Sequence, residues 1–389
     1  MKILFDLMNA QPAEGSKFHG GGEYIKTVFK KLIENLKNVE LVVFYDFDRF
    51  LDDWVKIIIQ NHLIRRIDIK CEQDITFIDE PFDVFFSGLP YRYKREWLPN
   101  IKLFIGTIHG LRGLEKPYDE FDYMYNHGSY YISKIKKTIK NIKYVVLDYE
   151  QKIKEEQLNT FKNCINALDV IVCDSQHTKY SILNFFDISE DKFIVKAPPK
   201  KISSAMGKEE RNMCPKEKFL LLIGGNRWIK NCYRAIVAID QLIAEKKLKD
   251  YKMVIVGALS DLIRGKIHNI DRFVLLDYVS PGQLEELYKN CEAFIYPSLN
   301  EGFGYPPLEA MAYGTTCVVS AVCSLPEVCG DAVYYFNPYD INEIRTRILN
   351  AVNDKIPEDK VLSHYHQMLI RQNADIADLI DIIKGQRKI

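Results

Sequence analysis

Several kinds of sequence signal are missing from this chain. No window approaches the roughly 18 consecutive apolar residues that a membrane-spanning helix needs, so we expect any membrane association to be peripheral. The short apolar run at the start contains Asp6 and does not suit a secretory signal peptide. The 53 basic and 53 acidic side chains balance, which gives no global attraction to nucleic acid or anionic lipid. These absences predict a cytoplasmic protein without a nucleic-acid partner.

The nine cysteines also lack any Cys-x-x-Cys pair. Cys173, Cys291 and Cys317 lie in or beside apolar runs, which is typical of reduced thiols in a core. Cys317, Cys323 and Cys329 are equally spaced, but no histidine lies near them and the segment crosses a strand and a loop. We therefore predict a reducing compartment and no metal at these cysteines.

The 389 residues exceed the size at which one hydrophobic core usually stops growing, so two domains are expected. Apolar strands alternate with helical segments in the C-terminal half, which is the βαβ pattern of a parallel sheet, and the N-terminal half is similar but less regular. Residues 197–216 have little apolar periodicity and indicate the linker. We predict an α/β protein with domains at 1–200 and 201–389. The predicted strands are 3–7, 41–45, 84–87, 103–107, 170–173, 219–223, 253–256, 272–276, 293–296 and 316–319.

Two carboxylates flank a glycine loop in the C-terminal half. After strand 293–296, Gly302 and Gly304 let backbone amides approach an anion, and Pro306 and Pro307 favour a helix start. A diphosphate can therefore lie on that helix start.

The flanking carboxylates have different expected partners. Glu309 is expected in the first helical turn, where it can accept hydrogen bonds from ribose hydroxyls. Glu301 lies at the strand exit, where it can face a sugar. Together with the glycine loop, these carboxylates predict a site for a sugar nucleotide.

A second motif combines glycines with two cations. Gly224 and Gly225 follow strand 219–223, and Arg227 and Lys230 come next. Arg227 can hold phosphate oxygens bidentately, and Lys230 can add a point charge as negative charge builds on a leaving diphosphate. Such cations can replace a divalent metal. The alternative interpretation is a surface turn with incidental charges.

Two polar residues are expected at helix starts. Asn231 follows the cationic motif and can cap the next helix, and Ser175 follows strand 170–173 in a similar position. For Ser175, a structural cap is favoured over contact with a ligand.

The two C-terminal motifs contain Asn-Glu-Gly-Phe-Gly-Tyr-Pro-Pro-Leu-Glu-Ala-Met-Ala, with Glu-x7-Glu spacing, and Gly-Asn-Arg-x-x-Lys-Asn before it. Together they resemble the donor domain of GT-B retaining glycosyltransferases, with family four as the nearest match. The resemblance covers 217 to about 340 and includes 276–280, whose family counterpart meets the nucleotide base through backbone groups. It implies a GT-B fold, in which two Rossmann-like domains face each other across a cleft. The family usually ends with a helix that crosses back onto the N-terminal domain, and residues 361–389, which have a helical pattern, are the candidate for it.

The resemblance implies two further elements in the N-terminal domain. The family has a glycine loop after its first strand, and Gly20-Gly21-Gly22 precedes a helical pattern at 23–36. The family also has a histidine after a later strand, where it bonds the donor sugar or positions the acceptor, and His109 matches it. The implied catalytic residues are His109, Arg227, Lys230 and Glu301. The implied donor-binding residues are Gly21, Gly22, Asn226, Tyr278, Val279, Gly302, Phe303, Gly304 and Glu309.

The implied reaction moves a sugar from a nucleoside diphosphate sugar to an acceptor hydroxyl, with retention of anomeric configuration and without a metal or other cofactor. The expected partners are a nucleotide-sugar donor and a glycan or lipid-linked acceptor of bacterial surface polysaccharide or glycolipid assembly. A Tyr/Lys-rich segment at 123–154 can contact acceptor or the inner membrane surface, or be a solvated charged face. Its clustered lysines are Lys134, Lys136, Lys137, Lys140 and Lys143.

Three alternatives remain at this stage. Asp46 and Asp48 resemble the Asp-x-Asp metal motif of another glycosyltransferase fold, but we predict no metal there because cationic phosphate ligands are present. A GT-B accessory protein without activity would bind nucleotide without turnover. A nucleotide-sugar epimerase would need carboxylates placed to eliminate and re-add the diphosphate, and the sequence shows no such pattern.

Overall fold

The computed structural model describes residues 1–12, 20–37, 39–98, 100–125, 149–201, 213–257 and 267–387. The chain forms two compact units, which we call the N-terminal and C-terminal units. The N-terminal unit comprises Met1–Leu111, Glu155–Ile202 and Leu369–Ile389, and the C-terminal unit comprises Arg112–Lys154 and Ser203–Met368.

Within the described residues, the N-terminal unit holds a seven-stranded sheet in the order β3-β2-β1-β4-β5-β6-β7, and every neighbouring pair is parallel. The central strands are mostly apolar, as expected for a parallel sheet that helices cover on both faces. The strands are β1 Lys2–Asp6, β2 Glu40–Tyr45, β3 Arg65–Asp68, β4 Phe82–Ser87, β5 Ile101–Ile108, β6 Val170–Cys173 and β7 Phe193–Val195. The helices here are Gly20–Glu34, Asp53–Asn61, most of Tyr149–Ala167, and Gln176–Phe185, with short 3-10 turns at Met8–Ala10, Glu72–Phe77, Arg95–Trp97 and Glu190–Lys192.

The described part of the C-terminal unit holds a six-stranded parallel sheet in the order β10-β9-β8-β11-β12-β13. Its strands are β8 Lys218–Ile223, β9 Tyr251–Val256, β10 Phe273–Leu276, β11 Ala293–Tyr296, β12 Cys317–Ser320 and β13 Tyr334–Phe336. Its helices are Arg112–Glu115, Cys232–Ala244, Pro281–Asn290, Tyr305–Met311, Leu325–Cys329, Ile341–Asn353 and the first part of Glu358–Ile383, with 3-10 turns at Asp122–Tyr125, Trp228–Lys230 and Ile270–Arg272.

Both sheets have the strand order of a Rossmann fold, which confirms the predicted pair of Rossmann-like α/β units. The order reverses between β1 and β4 in one sheet and between β8 and β11 in the other. In open parallel sheets, ligands bind beyond the carboxyl ends of the strands at such a switch point. The strand order therefore predicts a ligand site among the residues that follow β8 and β11.

Two segments belong to a different unit from the one to which the predicted domains, 1–200 and 201–389, assign them. Tyr123, Met124 and Tyr125 belong to the apolar core of the C-terminal unit. The end of helix Glu358–Ile383 belongs to the core of the N-terminal unit, where Leu379 and four isoleucines are buried. Neither unit is therefore one continuous piece of chain.

Cys173, Cys291 and Cys317 are buried free thiols, as the sequence predicted. Among the described residues, no helix combines the length and the hydropathy needed to cross a membrane.

Candidate functional site

The loop after β11 leads into helix Tyr305–Met311 through a glycine that this backbone requires. Gly304 has a φ of 116°, and a Cβ there would lie 2.7 Å from Leu325 Cδ2. Only glycine adopts this conformation at little cost. Prolines stand in the first turn, so the helix begins where the sequence predicted.

Buried serine hydroxyls fix the backbone of this loop. Ser320 Oγ donates to the carbonyl of Ser298 at 2.5 Å, and Ser324 Oγ lies 3.0 Å from the carbonyl of Glu301 and 2.7 Å from that of Phe303. Ser320 and Ser324 are fully buried. The sequence analysis missed both serines, because their role depends on contacts with a loop about 20 residues away.

Glu301 is the centre of a cluster of hydrogen bonds. Its Oε1 accepts from Lys230 Nζ at 2.5 Å, from Tyr296 OH at 2.7 Å and from Ser298 Oγ at 2.5 Å. Lys230 Nζ also donates to Tyr296 OH at 2.6 Å. Lys230 follows β8 and Glu301 follows β11, so the cluster lies at the switch point. The structure thus brings two predicted catalytic residues together, and it adds Tyr296 and Ser298.

The electrostatics of the pair follow from its burial. Burial lowers the pKa of Lys230, with Arg227 adding to this effect and Glu301 opposing it. Burial acts to raise the pKa of Glu301, but Lys230 and the hydrogen bonds from Ser298 and Tyr296 together hold that pKa below its ordinary value. Glu301 is therefore ionised at neutral pH and forms an ion pair with Lys230 in surroundings that contain little water.

In the cationic motif after β8, the side chain of Lys230 is buried and that of Arg227 is exposed. Gly224 has a φ of 73°, and a Cβ there would lie 2.9 Å from Lys230 Cγ, so this glycine leaves space for the lysine stem. Arg227 and Asn226 are exposed. Within the described residues, Arg227 forms no ion pair and no side-chain hydrogen bond. Its guanidinium is available to an anion from solvent.

Asn231 does not cap the following helix as predicted. It has a left-handed backbone with a φ of 55°, and its amide donates to the carbonyl of Pro338 at 2.9 Å and accepts from Arg234 at 2.8 Å. The hydroxyl of Tyr125 instead accepts from the backbone N–H of Tyr233 at 2.8 Å. The helix start is therefore satisfied by a side chain more than a hundred residues earlier, which local sequence patterns do not reveal.

Glu309 lies one turn later than predicted. It is the fifth residue of helix Tyr305–Met311, so it belongs to the second turn and not the first. Its Oε2 accepts from the hydroxyl of Tyr288 at 3.4 Å. The helix begins at Tyr305, directly after Gly304, so four residues of it precede Glu309.

The predicted base-contacting segment follows β10. Tyr278 is 72% exposed, whereas Val279 is buried. The backbone N–H of Gly257 donates to the carbonyls of Leu276 and Asp277, which fixes the start of this segment.

The glycine triplet of the N-terminal unit lies inside a helix and not in a loop before it. Helix Gly20–Glu34 begins at the first of the three glycines, so Gly21 and Gly22 are in its first turn. A Cβ at Gly21 would lie 2.8 Å from Leu89 Cδ1, so close packing explains this glycine. The prediction of a separate glycine loop before the helix was wrong. The helix includes all three glycines, although glycine has a low helix propensity.

His109 follows β5, at the predicted position. Its Nδ1 lies 2.6 Å from Asp174 Oδ2, and its Nε2 lies 2.8 Å from the carbonyl oxygen of Gly88. Both partners are acceptors, so both ring nitrogens must carry hydrogen. Burial acts to lower the pKa of His109, but Asp174 and the carbonyl of Gly88 together raise it above its ordinary value. The sequence analysis missed this role for Asp174, which follows β6.

Ser175 is an N-cap, as predicted. Its Oγ accepts from the backbone N–H of Thr178 at 3.2 Å, at the start of helix Gln176–Phe185. This bond satisfies one of the backbone donors that every helix start leaves without an internal partner.

The carboxylates of Asp46 and Asp48 are paired with the side-chain ammonium of Lys70. Lys70 Nζ lies 2.7 Å from Asp46 Oδ1, 2.6 Å from Asp48 Oδ2 and 3.1 Å from Asp68 Oδ1. An ammonium therefore already occupies the position between these carboxylates. The lysine cluster predicted at 134–143 lies outside the described residues.

Comparison with known proteins finds a family match in the C-terminal half of the chain. Residues 208–368 match the family model of glycosyl transferases group 1. The chain is 32% identical over 209 residues to the serotype-specific mannosyltransferase WbdA of Escherichia coli, covering 48% of this chain and 25% of WbdA. It is 28% identical over 222 residues to the O-antigen chain mannosyltransferase RfbU of Salmonella typhimurium, covering 55% of this chain and 57% of RfbU. The chain thus spans less than two thirds of either relative.

Among solved structures, HepE of Anabaena in complex with UDP-glucose has the same fold. The TM-score is 0.64 at 13% identity, with 99% of each chain covered. The fold is therefore that of GT-B glycosyltransferases. Residues 208–368 are similar to the glycosyl transferases group 1 domain, and β8, β11, Lys230 and Glu301 lie within this matched range.

Proposed function

We propose that this protein is a retaining glycosyltransferase of the family-four type, which moves a sugar from a nucleoside diphosphate sugar to an acceptor hydroxyl. The observation that carries the proposal is the buried cluster of Lys230, Glu301, Tyr296 and Ser298 at the switch point of a group 1 domain. Arg227, exposed in the same motif, supplies a second cation.

The cluster leaves Lys230 able to bind phosphate. An ammonium has three N–H groups, and two of them donate to Tyr296 and Glu301. The third can donate to an oxygen of the leaving diphosphate, while Arg227 can bind two oxygens with its planar guanidinium. Fixed positive groups in a site with little water stabilise charge that develops in the transition state.

The reaction needs no general base from the protein. The acceptor oxygen forms a bond to the anomeric carbon as the bond from that carbon to the diphosphate oxygen breaks. The acceptor proton goes to the departing diphosphate on the same face, so configuration is retained. We propose that Glu301, held by three donors on Oε1, orients the donor sugar, and that Glu309 binds the ribose.

The names of two relatives support a proposal for the donor sugar and the acceptor. WbdA is named a serotype-specific mannosyltransferase and RfbU an O-antigen chain mannosyltransferase. We propose that the transferred sugar is mannose and that the acceptor is a growing surface polysaccharide or glycolipid. The site of action would be the cytoplasm or the inner face of the membrane, with peripheral contact only.

We propose that catalysis is independent of a metal. The Asp46 and Asp48 carboxylates are held by Lys70, and Lys230 and Arg227 provide the positive charge that a cation would otherwise bring to the diphosphate. A nucleotide-binding accessory protein remains the second candidate.

The nucleotide site is tested by thermal unfolding with UDP, GDP, ADP and CMP, because a ligand that binds only the folded state raises the melting temperature. We expect one base to stabilise the wild type and the Glu309→Ala variant to lose that shift. Asp340→Ala, at a helix cap elsewhere in the C-terminal unit, is the control and should keep the shift. No shift with any nucleotide would contradict the proposed donor site.

A further inference from the structure

The segment Arg112–Tyr125 follows the last residues of the N-terminal sheet but packs on the C-terminal unit. Tyr123, Met124 and Tyr125 are buried in the core formed by β8, β9 and helix Cys232–Ala244. The segment is therefore a sequence-remote part of the unit that carries Lys230 and Glu301.

A buried ion pair anchors the middle of this segment. Arg234 Nη1 and Nη2 donate to the two oxygens of Asp119 at 2.9 and 3.2 Å, and both side chains are almost fully buried. The guanidinium also lies 4.5 Å from the ring centre of Phe121. Bidentate geometry fixes the orientation of both partners, so the segment is held in one register on the helix.

The two ends of the segment contact the two elements of the proposed site. Tyr125 OH accepts from Tyr233 N at the helix start that follows Lys230. Glu115 Oε2 accepts from Asn300 Nδ2 at 2.6 Å, and Asn300 is the residue before Glu301. The same amide nitrogen also lies 3.2 Å from Cys323 Sγ, which is a weak acceptor. Asn300 is only 7% exposed, so without Glu115 its amide would lose its strong acceptor, and water cannot readily replace it.

We propose that Glu115 is a positioning residue for the Glu301 loop, and that the segment Arg112–Tyr125 braces this loop against the helix start after Lys230. The proposal rests on the proposed transferase function for its kinetic effect. Glu115 acts through Asn300 and touches no reacting atom. A misplaced Glu301 side chain would weaken transition-state stabilisation more than donor binding, because the cations that bind the diphosphate lie on a different strand end and Ser324 still holds the carbonyl of Phe303 beside Gly304.

The test compares Glu115→Ala with Glu115→Gln, because glutamine keeps a side-chain oxygen that can accept from Asn300. We expect Glu115→Ala to lower kcat about tenfold with little change in KM for the donor, and Glu115→Gln to retain most of the wild-type kcat. Glu120→Ala is the matched control on the same segment, since Glu120 is exposed and touches Arg234 from outside. It should leave kcat unchanged.

Two further measurements separate positioning from a general loss of stability. In a double-mutant cycle, Glu115→Ala combined with Asn300→Ala should lower kcat no further than Asn300→Ala alone. Backbone hydrogen exchange of residues 298–304 should be faster in Glu115→Ala and unchanged in Glu115→Gln and Glu120→Ala.

The outcomes distinguish this proposal from the proposed function. The brace would be overturned if Glu115→Ala kept both the wild-type kcat and the wild-type rate of backbone hydrogen exchange. It would also be overturned if the kcat losses of Glu115→Ala and Asn300→Ala multiplied in the double variant. A wild type that lacks turnover with every donor would overturn the transferase function instead, and the hydrogen-exchange comparison would still support or overturn the brace.

Discussion

Lys230 and Glu301 are charges with only 11% and 13% of their side chains exposed, and each one is stable in its place because of the other. Removing such charges from water costs several kcal/mol per ion, and the mutual attraction and the hydrogen bonds offset that cost. Apolar side chains of similar size would often fold as well. The presence of this pair at a switch point, beside an exposed arginine, is therefore better explained by chemistry on an anionic ligand than by stability.

His109 is held differently from the Lys230–Glu301 pair, because both of its ring nitrogens lie next to hydrogen-bond acceptors. This arrangement requires the charged imidazolium and agrees with the raised pKa. In this geometry His109 is a fixed cation and not a base that can take a proton. A sugar hydroxyl could bind the ring only by replacing the carbonyl of Gly88 or the carboxylate of Asp174.

This arrangement predicts a pH dependence of stability. A histidine whose pKa is raised on folding contributes stability that is fully present below its unfolded pKa of about 6.5 and is lost as pH rises through the folded pKa. Asp174→Asn should lower the folded pKa and reduce that contribution. Nitrogen-15 NMR should show both ring nitrogens of wild-type His109 protonated at pH 7, and one in Asp174→Asn. A single neutral tautomer in the wild type at pH 7 would refute this reading.

At the scale of elements, nine of the ten predicted strands lie inside a sheet, and the exception, β10, is an apolar edge strand. Every one of the ten predicted strands overlaps an observed strand. The strands that the sequence did not predict are β3, β7 and β13, and all lie at sheet edges. An edge strand has one neighbour and needs less apolar surface, so β3 contains two arginines and an aspartate, and the other two are only three residues long.

The sequence predicted those parts of the candidate site whose residues lie close together along the chain. The motifs around Lys230 and Glu301 were recognised because each combines a strand end, glycines and charges within about ten residues. The roles of Tyr125, Asp174 and Ser324 depend on contacts between distant segments. No local pattern records those contacts.

Gly304 gives an element-scale prediction. Alanine there would have an unfavourable positive φ and a Cβ 2.7 Å from Leu325 Cδ2, so Gly304→Ala should destabilise the protein by about 1–3 kcal/mol and weaken nucleotide binding. Gly20→Ala is the control, because a Cβ there meets nothing within 4 Å. Urea unfolding and nucleotide titration would measure both effects. Equal stability of the two variants would contradict the role of Gly304.

On the scale of the whole molecule, each unit repeats the same sheet order and has candidate residues next to its switch point. Lys230 and Glu301 follow β8 and β11, and Gly88, whose carbonyl contacts the candidate residue His109, follows β4. The chain changes units four times, after residues 111, 154, 202 and 368. The proposed donor site therefore depends on segments from both halves of the sequence, as the brace from Arg112–Tyr125 illustrates.

The most direct test of the central claim is donor turnover with variants of the two cations. Purified protein would be incubated with GDP-mannose and with UDP-glucose, without acceptor, and release of nucleoside diphosphate measured. We expect slow hydrolysis of at least one donor by the wild type, and a loss of about a hundredfold in Arg227→Ala and in Lys230→Ala. Full turnover by the Arg227→Ala, Lys230→Ala double variant would contradict the account.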